Sequence, residues 1–165
     1  EDIRLMAGIE VDILADGELD MEHSLLERCD WVVGSIHKQF DLPPEEMTER
    51  IQGAVETGLL DCLGHPTGRI LGGRNGYEYD LEAIFEACVD HEVAMEMNGS
   101  SGRLDLNAES ARTAHEAGVP IILGSDAHST GGLDQIGFAV QQARRGWLET
   151  HDILNTRSAD ELFDA

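Results

Sequence analysis

Residues 121–128 read IILGSDAH: an apolar run, a Gly-Ser step, then an aspartate and a histidine two positions apart. The run has the length of a buried strand, and it ends in side chains that hold metals or act on substrates. The same design recurs four times upstream: LMAGIE ends at Glu10, WVVGSIH at His37, LLDCLGH at His65, and VAMEMN at Glu96 and Asn98. Counting from the first such residue of each, the intervals are 27, 28, 31 and 30 residues, close to the roughly 30 residues per βα unit of an eight-unit barrel of about 250 residues. Polar groups at the carboxyl ends of successive parallel strands all face one mouth, where barrel enzymes keep their chemistry. Strands are therefore predicted near 4–10, 31–37, 59–65, 93–98 and 119–125.

The segments between these runs carry helical periodicity. Leu81, Ile84, Phe85 and Cys88 form one apolar stripe, Met47, Ile51, Ala54 and Val55 a second, and Leu133, Ile136, Val140 and Trp147 a third, each expected to face the core. Pro43-Pro44 opens the second helix and Thr57-Gly58 closes it, Asn107 and Gly118 bracket an Ala-rich helix, and Ser158 with Glu161 makes a capping-box start for the last. Alternating strands and helices imply a parallel sheet with right-handed crossovers. Between a barrel and a doubly wound sheet, polar groups at five successive strand ends favour the barrel, because an open sheet binds ligands only where its strand order reverses. Five units are fewer than a closed barrel needs, so the expectation is a partial α/β barrel over residues 1–165, one domain, with about two βα units lying before Glu1.

The composition narrows the function classes. No apolar run reaches the roughly 20 residues of a membrane helix, and no basic-then-apolar leader opens the sequence, so a cytoplasmic setting with no membrane partner is expected. Cys29, Cys62 and Cys88 are distant from one another and embedded in apolar patterns, which reads as packed thiols and not as a disulfide framework. Eleven basic against 33 acidic residues give a net charge of −22. Self-repulsion on that scale is screened when the Debye length falls to about 3 Å near 1 M salt, which points to a halophilic host.

Three histidines, an aspartate and at least one glutamate converging on one mouth make the mixed imidazole and carboxylate set that suits Zn²⁺, Mn²⁺ or Fe²⁺. The other four histidines, His23, His91, His115 and His151, fall in or beside helical segments and read as ordinary solvated residues. Just past the strand ends lie Lys38, Arg69, Arg74 and Arg103, four of the eleven cations. That placement suits an anionic substrate, with Arg69 and Arg103 able to fork onto phosphate oxygens. The alternative is that they pair with neighbouring carboxylates in a very acidic protein. The glycines Gly72-Gly73 and Gly99 to Gly102 permit close backbone approach to a ligand, but neither stretch has a P-loop spacing.

GIEVDIL, DWVVGSIH, LGHPTGR, EMN followed by RLDL, SDAHS and ARRGWL followed by ILNT, in this order, resemble the PHP (polymerase and histidinol phosphatase) domain over nearly the whole chain. The version most similar is the one at the C-terminus of bacterial and archaeal family X DNA polymerases, for which HPTGR, RLDL and ARRGWL are the particular signals. The resemblance implies a distorted (β/α)7 barrel that binds up to three metals, Zn²⁺ or Mn²⁺, and hydrolyses phosphoesters. It makes Glu10 a bridging ligand, His37, His65, Asp126 and His128 ligands, and Glu96 a residue standing behind the ligands. The family's opening His-x-His pair and its later Asp-His motif have no counterpart here and are expected before Glu1, and Gly99-Ser100-Ser101-Gly102 replaces the usual Ala-Asn-Pro type segment.

The implied reaction is metal-assisted phosphoester hydrolysis, with Glu10 and Asp126 at its centre and Lys38, Arg69, Asn98 and Arg103 on the substrate. In the polymerase setting that means 3′-5′ exonuclease work on DNA ends in repair, with a polymerase module upstream in the same polypeptide and little activity from this segment alone. A free-standing phosphatase of the histidinol-phosphatase type shares the ligands. An amidohydrolase-like enzyme would use the same barrel on C–N bonds, but its frequent carbamylated strand lysine has no match, because Lys38, the sole lysine, lies in a loop. A non-catalytic structural domain is the remaining alternative.

Overall fold

The computed structural model describes residues 4–163; residues 1–3 and 164–165, Glu1 among them, lie outside the described residues. Five strands, β1 (Gly8–Asp12), β2 (Trp31–Ser35), β3 (Cys62–Leu63), β4 (Ala94–Asn98) and β5 (Ile121–Gly124), alternate with helices α1 (His23–Leu26), α2 (Pro44–Glu56), α3 (Leu81–Asp90), α4 (Ala108–Glu116), α5 (Ile136–Arg145) and α6 (Ala159–Phe163). Every neighbouring pair of strands is parallel, and the order across the sheet is β1-β2-β3-β4-β5. A doubly wound sheet would show a reversal in that order. Its absence among the described strands makes this an α/β fold with the sheet of a TIM-like barrel in part, all five carboxyl ends on one side.

Alternation along the strands separates two apolar faces. Val32, Leu63, Met95, Met97 and Ile121 pack outward against Met47, Ile51, Val55, Ile84 and Phe85 of the helices. Cys62 and Ala94 point to the other side, where Trp31, Val33 and Ile122 meet Leu154 and Leu162 from the C-terminal segment. Burial on both faces explains why the strands read as near-continuous apolar runs, and each fully buried side chain such as Met95 contributes about 1.5–3 kcal/mol. Cys62 and Cys88 are buried free thiols, and Cys29 is half-buried.

The helix ends follow the sequence signals. Pro44 is the first residue of α2, whose next two are Glu45 and Glu46, where acidic side chains suit the helix dipole; Gly58 takes a left-handed φ of 68° just past its end. Asn107 Oδ1 accepts from the amides of Glu109 and Ser110 at 3.0 and 2.9 Å, closing two orphan donors of α4. At α6 the Ser158 amide donates to Glu161 Oε2 at 2.7 Å, and the Glu161 amide donates to Ser158 Oγ at 3.3 Å.

Three expectations need correction. The strand expected near 59–65 is reduced to Cys62–Leu63. β1 begins later than predicted and runs beyond Glu10 to Asp12. The stripe Leu133, Ile136, Val140 and Trp147 does not face the core: these residues are 37 to 75% exposed, and Ala139 and Ala143 are buried instead. The reason is close approach. A Cβ on Gly99 would run into Gln135 O and lie 3.1 Å from Ala139 N, so the start of α5 lies almost directly on the β4 loop and only small side chains fit beneath it.

Among the described residues, the outer side of β5 meets the C-terminal segment and not another strand. Ile153 makes a single parallel bridge to Ile121. The Asn155 side chain accepts from the Leu123 amide at 2.7 Å and donates to the Leu123 carbonyl at 3.0 Å.

Candidate metal centre

Glu10 lies in mid-strand, paired in register with Val33, and its side chain reaches the mouth beside the residues that follow β2 and β3. Glu10 Oε1 is 3.3 Å from His65 Nε2 and 3.6 Å from His37 Nε2. One donor atom from each of the three lies within 4.8 Å of the other two. Four ligands held tetrahedrally at about 2.0–2.1 Å from an ion are about 3.3–3.4 Å from one another, whereas N–H···O hydrogen bonds lie at about 2.7–3.2 Å. The spacing is therefore that of donors able to share an ion. His65 Nδ1 is buried with no hydrogen-bond partner among the described residues, and the two rings meet edge to face with centroids 5.1 Å apart.

Backbone and charge both prepare this group. A Cβ on Gly64 would collide with Ser35 Oγ and Val33 and lie 3.7 Å from Glu10 Oε1, so the step before His65 must be glycine. His65 itself has a φ of 30°, a conformation bulky residues adopt only when their surroundings hold them. The His65 imidazole, helped by Ser35 and His37 nearby and opposed by burial, holds the Glu10 carboxyl down at about 2. Glu10 is thus an anion at any working pH, as a ligand must be.

Asp12, two residues on and therefore on the same face of the strand, was not singled out in the sequence. Its Oδ1 is 2.6 Å from His37 Nδ1, and the His37 ring holds its carboxyl below the usual carboxylate range. A carboxylate on one ring nitrogen fixes the tautomer and turns the other nitrogen toward the ion site. Lys38 Nζ is 3.4 Å from Asp12 Oδ2. Arg50, buried on α2, donates to the carbonyls of Ile13, Lys38 (3.1 Å) and Gln39 (3.3 Å), tying down the loop after His37. Asp12→Ala is expected to weaken Mn²⁺ binding about tenfold with no change in helix content, measured by calorimetric titration and circular dichroism. Unchanged affinity would show that His37 needs no orienting partner.

Glu96 stands behind this group. Its Oε2 accepts from the His65 amide at 2.7 Å and from Asn98 Nδ2 at 3.1 Å, and burial pushes its pKa up against those two bonds. Asn98 is buried, and its Oδ1 accepts from the Ser100 amide at 2.9 Å.

Asp126 and His128 stand at the end of β5, outside the group of three. Asp126, with a φ of 51°, places Oδ2 at 3.3 Å from Arg103 Nε. His128 donates from Nδ1 to the Asp126 carbonyl at 2.9 Å, and its side chain is 84% exposed. Arg69 donates from Nε to the Arg103 carbonyl at 2.9 Å and from Nη2 to that of Leu104, and Arg74 donates twice to the Gly68 carbonyl, at 3.2 and 2.6 Å. All four mouth cations thus have protein partners: Lys38 and Arg103 on carboxylates, Arg69 and Arg74 on carbonyls. Two helical-segment histidines also meet, His115 Nε2 and His151 Nε2 lying 3.5 and 3.2 Å from Asp152 Oδ1.

No protein-family model matches the chain. The chain is 38% identical to the DNA polymerase/3′-5′ exonuclease PolX of Bacillus subtilis over 162 residues, which is 98% of this chain and 28% of that protein. It is 33% identical over 149 residues to a probable phosphatase of Vibrio atlanticus, 82% of this chain and 58% of that protein. A probable phosphatase of Vibrio vulnificus matches at 27% over 174 residues, 99% of this chain and 67% of that protein. The chain thus spans from about a quarter to two thirds of the length of these relatives, and the Glu10, His37 and His65 group lies in a sequence similar both to a DNA polymerase/3′-5′ exonuclease and to probable phosphatases.

Proposed function

We propose that this chain is a PHP-type, metal-dependent phosphoesterase segment that acts on DNA 3′ ends as a 3′-5′ exonuclease, in a polypeptide that also carries a family X polymerase. The observation that carries the proposal is the single carboxylate oxygen of Glu10 facing two imidazole nitrogens at ligand-to-ligand spacing. Similarity to PolX across 98% of the chain supports the nucleic-acid substrate.

In this reading Glu10, His37 and His65 hold one ion, and Asp126 and His128 contribute to the up to three of the complete domain. Two imidazoles with a carboxylate suit Mn²⁺ or Zn²⁺. Such ions supply Lewis acidity, acidifying water toward neutral pH and offsetting charge on phosphoryl oxygens. The protein's own part is to hold the donors. Glu10 stays anionic, Asp12 fixes the proton of His37 on Nδ1 so that Nε2 is free to bind, and Glu96 holds the His65 backbone. Lys38 and Arg103 lie on the substrate side, with Arg103 exchanging part of its Asp126 contact for phosphate oxygens, while the buried Asn98 and the carbonyl-bound Arg69 hold Glu96 and the β4 loop in place behind them. A phosphatase acting on small monoesters is the second reading, favoured by the relatives that carry that name.

The test uses the polypeptide as its gene encodes it, with Mn²⁺, a 5′-labelled single-stranded oligonucleotide and, separately, p-nitrophenyl phosphate. A ladder shortening from the 3′ end, lost on chelation, is expected. Phosphate release without shortening would select the phosphatase, and an inert metal-loaded protein would refute both.

A further inference from the structure

The loop after β3 folds back on itself and carries an apolar tip to the rim of the mouth. The Tyr77 amide donates to the Thr67 carbonyl at 3.0 Å, the Ile70 amide to Arg74 at 2.8 Å, and the Leu71 amide across to Gly102 of the β4 loop at 2.7 Å. Together with the Arg69 and Arg74 bonds to backbone carbonyls, this leaves the tip little freedom. Yet Ile70 and Leu71 are 39 and 48% exposed, at a turn where polar residues would cost nothing. Beside them the Arg74 guanidinium lies 3.5 Å over the Phe40 ring, and Arg103 follows Gly102 directly.

A firmly held pair of branched apolar side chains flanked by guanidinium groups is suited to flat, apolar-faced, anionic ligands. Nucleotides are of that kind: Ile and Leu wedge against base faces, and arginine planes stack on them. The overall charge of −22 strengthens the argument. Coulombic attraction alone cannot draw a polyanion to such a protein, and weakens further as salt rises, whereas apolar contact with a base is not opposed by charge.

We propose that Ile70 and Leu71 form the rest for the terminal base of a single-stranded nucleic acid, setting the site's preference for polynucleotides over small phosphate esters. This rests on the phosphoesterase reading, but its test reads binding and not turnover. Fluorescence anisotropy of a short 5′-fluorescein oligothymidylate, in calcium buffer without Mn²⁺, should show about tenfold weaker binding for the double variant I70S/L71S than for the wild type. The same oligonucleotide with an abasic 3′ end should bind the wild type about as weakly as the intact one binds the variant. Both side chains are partly exposed, so the variant is expected to fold, and Mn²⁺ titration and p-nitrophenyl phosphate hydrolysis should match the wild type. Equal affinity of wild type and variant, or no wild-type binding, overturns the assignment even where the metal centre works. A loss of metal or phosphatase activity in Glu10→Ala speaks to the phosphoesterase reading alone.

Discussion

Glu10→Ala is expected to reduce Mn²⁺ or Zn²⁺ affinity by about a hundredfold or more, and with it all phosphoester hydrolysis. Glu10 is the only carboxylate in the group of three, and its Oε1 faces both imidazole nitrogens, so its loss leaves two imidazoles with no anion beside them to balance a divalent ion. Glu10→Gln separates charge from shape: it keeps an oxygen in place but removes the anion that balances a divalent ion. It should fall close to the alanine variant in affinity while unfolding at the same urea concentration as the wild type. Titration calorimetry with each metal, alongside circular dichroism, makes the comparison. Retention of wild-type affinity by either folded variant would place the ion elsewhere.

Gly124→Ala carries the largest expected effect on stability, about 2–3 kcal/mol. A Cβ there would overlap the Glu96 carboxylate, a half-buried group already fixed by the His65 amide and Asn98 Nδ2. It cannot move aside without leaving the His65 amide unpaired. The variant should therefore unfold at lower urea and, where it still folds, bind Mn²⁺ more weakly. Gly137→Ala is the matched control, since nothing lies within 4 Å of a Cβ at that position and an alanine favours the helix. Equal midpoints for Gly124→Ala and the wild type would mean that Glu96 relaxes freely.

The periodic strand ends were legible because an apolar run interrupted by a ligand-type residue is rare unless something requires it. They pointed to His37 and His65, which the structure sets beside Glu10, and the caps at Asn107 and Ser158 located two helices, because those signals act within four residues. Asp12 was hidden for the opposite reason. In a chain with 33 acidic residues one more carboxylate carries no signal of its own, and only the extension of β1 past Glu10 gives it one: strand periodicity then puts it beside Glu10. The α5 error has a similar origin. Periodicity identifies an apolar stripe but not what faces it, and the approach of α5 to Gly99 reserves the inner side for Ala139 and Ala143. Nor could spacing reveal that Arg69 and Arg74 would turn to backbone carbonyls, since those partners belong to every residue and leave no mark in the sequence.

The Asn155 amide does for Leu123 what the peptide group of a neighbouring strand would do, giving one donor and one acceptor to one residue. An exposed strand edge is a template for pairing with another molecule, and here the template is occupied at its centre by a group the protein carries with it. A second sheet approaching β5 would have to displace both bonds before making its own, so its gain at that residue is close to zero. The amide, together with the Ile153 bridge to Ile121, therefore acts as a terminator for sheet growth at this edge. Replacing it with aspartate would keep the acceptor but set a second oxygen against the Leu123 carbonyl, converting a closed edge into one that prefers a foreign donor.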